Sequence, residues 1–272
     1  MAYLYFAKEK IGMQDYLADN WTALLEHNGL KSFDDWWQRE AEWFEEPNHR
    51  RGGWSGVSRL ELEDASGSKH VVFMKRQENH VAKTLLHPIK GIPTFIREMH
   101  NILQLKQAEV AALVPVYFAA RTVDGAQRAV LVTESLDGFT PLDEVAKESL
   151  GYRARRELIK SVATLIRRLH AQRLQHNCLY PKHIFVKEIA TGYEARLIDL
   201  EKTKKRFLER TAMVRDLDSL NRHAHGWSSA DRLFFLHNYL GSQELTPALR
   251  SFWNKLLGRR IARYKKRETK GS

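Results

Sequence analysis

A chain of 272 residues with 43% hydrophobic content can bury a sizeable core and is long enough for two lobes around a cleft. Its single cysteine, Cys178, excludes an intramolecular disulfide, and no charged segment followed by an apolar stretch opens the chain, so a cytoplasmic setting is expected. The longest apolar run, Val110 to Ala120, contains Pro115 and is too short to span a bilayer. The net charge of +11 is concentrated: within residues 259–272, seven basic side chains face only Glu268. The body keeps a modest excess of 37 basic over 32 acidic residues, which argues against a nucleic-acid-binding face.

Residues 1–47 carry helical spacing at Leu17, Trp21, Leu24 and Leu25, then an aromatic run through Phe33, Trp36, Trp37, Trp43 and Phe44, and are expected to form a helical extension. From Arg51 the texture becomes strand-like. Gly52 to Val57 reads as a turn, Ser58 to Glu63 alternates, Ser66 to Ser68 turns, and His70 to Met74 runs into Lys75, giving a hairpin that ends in a lysine. Pro93 opens a helix marked by Phe95, Met99, Ile102, Leu103 and Lys106, with Glu98 beside the stripe. Strands follow at 114–120 and 129–134. A helix at 153–170 should bury Leu158, Val162, Leu165, Ile166 and Leu169 against a basic opposite face. Segments 184–187 and 194–198 form a hairpin through Thr191 and Gly192. The rest reads as helical to the end, including a stripe of Leu249, Phe252, Trp253, Leu256, Leu257, Ile261 and Tyr264. The fold class is α+β with segregated helices, divided as 1–47, 48–134, 135–258 and a basic tail at 259–272.

Several residues suit phosphoryl transfer, a reaction that asks a protein mainly to position phosphates and neutralise their charge. Gly52, Gly53 and Gly56 permit close backbone approach to phosphate, although a plain hairpin turn explains them as well. Lys75 and Glu98 stand in the order of a phosphate-contacting lysine and the helix carboxylate that aims it; taken singly, each reads as a surface residue. The stretch His176-Asn177-Cys178-Leu179-Tyr180-Pro181-Lys182-His183 has the layout of a kinase catalytic loop, with Cys178 where the catalytic Asp is expected. Asp199, at the end of Leu197-Ile198-Asp199, suits magnesium, which takes oxygen ligands. His183 occupies the position of a metal-side Asn, but an imidazole is a poorer magnesium ligand and a packing role competes. Asp216, in Arg215-Asp216-Leu217-Asp218, reads as an acid near a helix N-terminus, where dipole compensation is ordinary.

Together these segments resemble the bacterial lipopolysaccharide kinase family, the Kdo and heptose (WaaP-like) kinases, and within it the InaA-like branch. The resemblance runs from Trp36 to Arg222 and rests on Lys75, Arg97-Glu98, Val132-Thr133-Glu134, the loop 179–186, Ile198-Asp199-Leu200 and Arg215-Asp216-Leu217. It implies a bilobal protein-kinase-like fold with a β-rich N-lobe and a mostly helical C-lobe. It also implies ATP and magnesium as cofactors, Glu134 within the nucleotide set, Asp216 bonded to the loop backbone, and a sugar hydroxyl of a lipopolysaccharide core or related glycolipid as acceptor. Cys178 departs from the H-R-D pattern of the active kinases. The expected function is therefore ATP- and Mg-dependent transfer to a sugar hydroxyl; the alternative is a pseudokinase that binds nucleotide or glycolipid. The tail, with Trp253, Leu257, Ile261 and Tyr264 beside Arg259, Arg260, Lys265 and Lys266, is expected either to lie on an anionic inner membrane or to dock through its apolar stripe.

Overall fold

The computed structural model describes residues 15–50, 52–83, 87–145 and 150–241, together with Pro247 and Ser251. The described chain divides into two compact units, one running through Gln104 and resuming at Leu113–Asp137, the other made of Leu105–Ala112 and the chain from Gly138 onward.

Strands dominate the first unit. A six-stranded sheet has the order β1-β7-β8-β4-β3-β2, built from β1 (Tyr16–Leu17), β2 (Trp43–Arg50), β3 (Gly53–Glu63), β4 (Lys69–Glu78), β7 (Pro115–Val123) and β8 (Ala126–Glu134), with every pairing antiparallel. The short strands β5 (Val81–Ala82) and β6 (Ile92–Pro93) pair separately and lead into a helix over Thr94–Gln107. One sheet face is closed by the segment before β2: helix α1 (Thr22–His27), helix α2 (Phe33–Gln38) and the turn at Asp19–Trp21 bury Trp21, Leu25, Leu30, Phe33 and Trp36 against Leu60, Leu62, Val72, Met74, Val116 and Val132. Ser32 starts α2 through a reciprocal capping box with Asp35. The helix at Thr94–Gln107, here α3, buries Phe95, Met99, Ile102 and Leu105.

Three expectations for this unit change. The described part of the expected helical extension, residues 15–47, is not all helix: β1 and β2 belong to the sheet, and among these described residues only 19–27 and 33–38 are helical. Trp43 and Phe44 favour a strand because they pack on strand neighbours, Trp43 beneath Gly56 and Phe44 edge-on to Phe73 at 5.1 Å, and Pro47 is tolerated because β2 is an edge strand. Gly53 to Val57 is strand rather than turn, and only the Gly52 corner, with φ of 84°, turns. Lys75 lies inside β4, not at its end, since the strand continues through Glu78.

Helices dominate the second unit: α4 (Tyr152–Ala171), α5 (Glu209–His223) and α6 (Ser229–Leu240). Helix α4 buries Leu158, Val162, Leu165, Ile166 and Leu169, and α6 opens with a Ser228–Asp231 capping box. Strands are short: β9 (Thr140–Pro141) and β12 (Gly192–Leu197) flank β11 (Ile184–Ile189), and β10 (Leu174–Gln175) pairs with β13 (Lys204–Lys205). Asp216 falls in the middle of α5, so its charge does not compensate the N-terminus of that helix. The apolar stripe from Leu249 and the basic tail at 259–272 lie outside the described residues.

Candidate functional site

In the first unit the candidate residues centre on β4. Side chains on a strand alternate between faces, so Lys75 shares a face with Gln77, two residues on, and opposes Met74 in the core. Gln77 anchors α3. Its Oε1 accepts from the Phe95 N–H at 3.1 Å and from the Thr94 hydroxyl at 2.8 Å, and its Nε2 donates to the His80 carbonyl at 2.9 Å. His80 Nδ1 lies 3.1 Å from the same Thr94 hydroxyl. With the first turn of α3 fixed beside β4, Glu98 arrives one turn later opposite Lys75, and the two meet at 2.6 Å. The Glu98 side chain is 3% exposed and that of Lys75 18%. The carboxylate is thus held inside while the lysine side chain stays partly open to solvent. A buried ion pair is a weak device for stability, because desolving the charges offsets their attraction. This one positions a cation.

The three glycines have conformational reasons of their own. A Cβ on Gly53 would stand 2.0 Å from the Glu78 carbonyl oxygen, and one on Gly56 would stand 2.7 Å from the Trp43 ring, so β3 can approach β4 and β2 only without side chains there. Gly52 forms the corner. His49, Arg50, Gly52, Gly53, Trp54, Glu78 and Asn79 line an open hollow at this end of the sheet. Glu134 is committed inside the unit: its Oε1 accepts from Trp21 Nε1 at 2.9 Å, and its N–H donates to the Val114 carbonyl at 2.9 Å.

In the second unit Asp216 organises the loop. It is fully buried, and its two carboxylate oxygens accept from the N–H groups of His176 at 2.6 Å and Asn177 at 2.9 Å. His170, buried on α4, places Nε2 3.2 Å from the same carboxylate while Tyr239 Oη stands 2.8 Å from its Nδ1. These bonds fix Asn177 in a left-handed conformation, φ of 66°, which Asn tolerates better than most residues. The Asn177 amide donates to the Lys202 carbonyl at 2.7 Å, tying the loop to the segment after Asp199. His176 completes the link. Its Nε2 lies 2.9 Å from the Ile198 carbonyl, an acceptor only, so Nε2 carries the proton and Nδ1 accepts from the Cys178 N–H at 3.3 Å. Burial pushes the pKa of His176 down, in keeping with that neutral tautomer.

Asp199 follows with φ of 55° and ψ of 58°, a left-handed Asp held by the strand before it and the 3-10 turn Leu200–Lys202 after it. Its side chain is 36% exposed. His183 lies on the short 3-10 turn that starts at Pro181. Its Nδ1 donates to the Cys178 carbonyl at 2.8 Å and lies 3.5 Å from Asp199 Oδ2, and burial lowers its pKa. The nitrogen nearest Asp199 therefore carries a proton and cannot ligate a metal. The remaining lone pair is on Nε2. Cys178 is 8% exposed, burial raises its thiol pKa, and the Lys202 ammonium within hydrogen-bonding reach opposes that shift. At neutral pH it is a thiol, a poor proton acceptor.

Comparison with known proteins fixes the kinship. The sequence pattern of the lipopolysaccharide kinase (Kdo/WaaP) family matches residues 34–239. The chain belongs to that family. Protein InaA of Escherichia coli (strain K12) is similar to this family member, with 34% identity over 203 residues, covering 73% of this chain and 91% of InaA. Among solved structures, WaaP in complex with acyl carrier protein shares its fold, with a TM-score of 0.65 and 21% identity over 93% of this chain and 99% of that one. Spacing had given the order of Lys75, Glu98, Asp199 and Asp216. It had missed the Gln77–His80–Thr94 network and the His170–Tyr239 pair. For His170 a signal existed: a titratable residue on the apolar stripe of α4, one turn beyond Ile166.

Proposed function

We propose that this family member binds ATP and magnesium and transfers phosphate, slowly, to a sugar hydroxyl of a lipopolysaccharide core or related glycolipid. The observation that carries the reading is the Lys75–Glu98 pair at 2.6 Å, which holds a partly exposed cation on a rigid strand at a desolvation cost that stability does not explain. The donor set suits magnesium rather than a tightly caged metal. Among the described residues no three His, Cys, Asp or Glu side chains gather to hold an ion, and magnesium is commonly held by one or two carboxylates with phosphates and water completing its shell. Asp199 would supply that carboxylate and Lys75 would contact phosphate oxygens, while bound magnesium neutralises phosphate charge. His183 would position the Cys178 carbonyl and stay outside the metal shell through Nδ1.

No carboxylate stands at the base position, and the loss of a positioned base costs about a hundred- to ten-thousandfold in rate. Positioning and charge neutralisation remain, and in phosphoryl transfer they are the larger contributions. The second reading is a pseudokinase that binds nucleotide or glycolipid without turnover; the buried, protonated Cys178 thiol favours it. No helix among the described residues is long and apolar enough to cross a membrane. A peripheral location at an anionic inner membrane is part of the proposal.

Calorimetric titration of ATP with magnesium tests the binding half. The wild type should bind, Lys75→Ala and Asp199→Ala should each weaken binding at least about tenfold, and the Asp199→Ala loss should shrink when magnesium is omitted. Equal affinity in all three proteins removes the assignment. Transfer of labelled phosphate to purified lipopolysaccharide or core oligosaccharide, against the hydrolysis background, separates kinase from pseudokinase.

A further inference from the structure

A second surface of the helical unit takes no part in the chemistry above. After the turn at Leu200–Lys202 the chain reads Thr203-Lys204-Lys205-Arg206-Phe207-Leu208, and α5 begins at Glu209. The backbone is pinned up to Arg206: Lys204 and Lys205 pair with Gln175 and Leu174, the Arg206 N–H donates to the Arg173 carbonyl at 2.7 Å, and Arg206 Nε bonds Gln175 Oε1. Phe207 is 90% exposed and Leu208 59%. A single exposed apolar residue needs no explanation. Two adjacent large ones at the end of an anchored strap are a different case, since Lys204, Lys205 and Arg206 directly precede them and Arg173 lies alongside. The acids next to the strap are Glu201 and Glu209.

We propose that Phe207 and Leu208 form a wedge that inserts at the headgroup–acyl boundary of an anionic bilayer while the surrounding basic side chains engage lipid phosphates. An apolar tip ringed by cations matches a surface that is anionic outside and apolar beneath, and long basic side chains can lay their stems along the apolar layer while keeping their charges at the headgroups. Phe207 follows Asp199 by eight positions in the same compact unit, so this contact would present that unit to a membrane-borne acceptor. The inference holds with or without phosphate transfer, because it is read by partition, and it concerns a surface distinct from the tail at 259–272.

The test is sedimentation of the full chain with vesicles of phosphatidylcholine alone or mixed with phosphatidylglycerol, at low and high salt. Wild type should partition onto the mixed vesicles far more than onto the neutral ones. Phe207→Ser with Leu208→Ser should lower the partition coefficient about tenfold or more. Lys204→Gln with Lys205→Gln should lower it about tenfold on anionic vesicles only and flatten its salt dependence. Both losses should persist after deletion of residues 259–272, and melting temperatures should stay near wild type because Lys204, Phe207 and Leu208 are exposed and Lys205 is only half-buried. Wild-type partition by the double serine variant, or no vesicle binding by wild type, overturns the proposal. Lipid-free self-association that the serine pair abolishes would assign the wedge to a second copy and overturn it equally.

Discussion

Replacing Asp216 with alanine should lower the melting temperature of the helical unit by about 10 °C and free the loop it holds. The buried carboxylate accepts from two backbone N–H groups, those of His176 and Asn177, and approaches the His170 ring. The position is fully buried, away from bulk solvent. Each buried donor left without an acceptor costs about 1 to 3 kcal/mol, more when the lost acceptor was charged. The consequence reaches the metal candidate, because Asn177 bonds the Lys202 carbonyl and His176 bonds the Ile198 carbonyl on either side of Asp199. Hydrogen exchange at the amides of His176 and Asn177 should accelerate together with the fall in stability. Asp216→Asn, which keeps one acceptor oxygen and the same shape, should fall between wild type and alanine. An alanine variant with wild-type melting and unchanged amide protection would show that the loop is held by other means.

Cys178→Asp should raise phosphate transfer about a hundredfold or more, restoring the base contribution. The Lys202 ammonium within reach of this position would keep the new carboxylate ionised, and the Cys178 backbone is already fixed by its carbonyl bond from His183. Cys178→Ser and Cys178→Ala should change little, since the native thiol is protonated and contributes no base. The pH dependence gives an independent check. Burial raises the thiol pKa above its ordinary value, so the thiolate is scarce at neutral pH. A thiolate base would therefore give a rate still climbing above about pH 9, together with an inactive Cys178→Ser. The expected wild-type profile lacks that climb. If Cys178→Asp binds ATP yet transfers nothing, the pseudokinase reading prevails.

Periodicity made the long elements readable. The α4 stripe and the hairpin at β11 and β12 are patterns that only one kind of element satisfies, and the α3 stripe after Pro93 is similarly plain. Short or mixed signals misled. The aromatic run through Trp43 and Phe44 suits either a helix face or an edge strand, and its partner Gly56 reads locally as a turn residue, although it is glycine because the Trp43 ring lies against it. The pairing of β10 with β13 involves two residues on each side, too few to leave a period. The candidate site was visible as an ordered set of residue types, but its supports were not. Gln77, His80 and Thr94 are unremarkable polar residues in sequence, and only folding shows that they fix the helix carrying Glu98. Asp216 was legible as an acid and illegible as a mid-helix one, since the start of α5 has no side-chain cap to announce it.

The family pattern begins at residue 34, yet Trp21, Leu25, Leu30 and Phe33 lie before it in the core of the first unit. The segment that evolution marks as kin is therefore shorter than the segment that must fold together. A protein trimmed to the kinship boundary would bare the sheet around Leu62, Val72 and Val116, cut the Trp21 bond to Glu134, and present an adhesive apolar plane in place of a finished surface. Loss of solubility in such a trimmed chain would speak of an unroofed sheet and would carry no information about its chemistry.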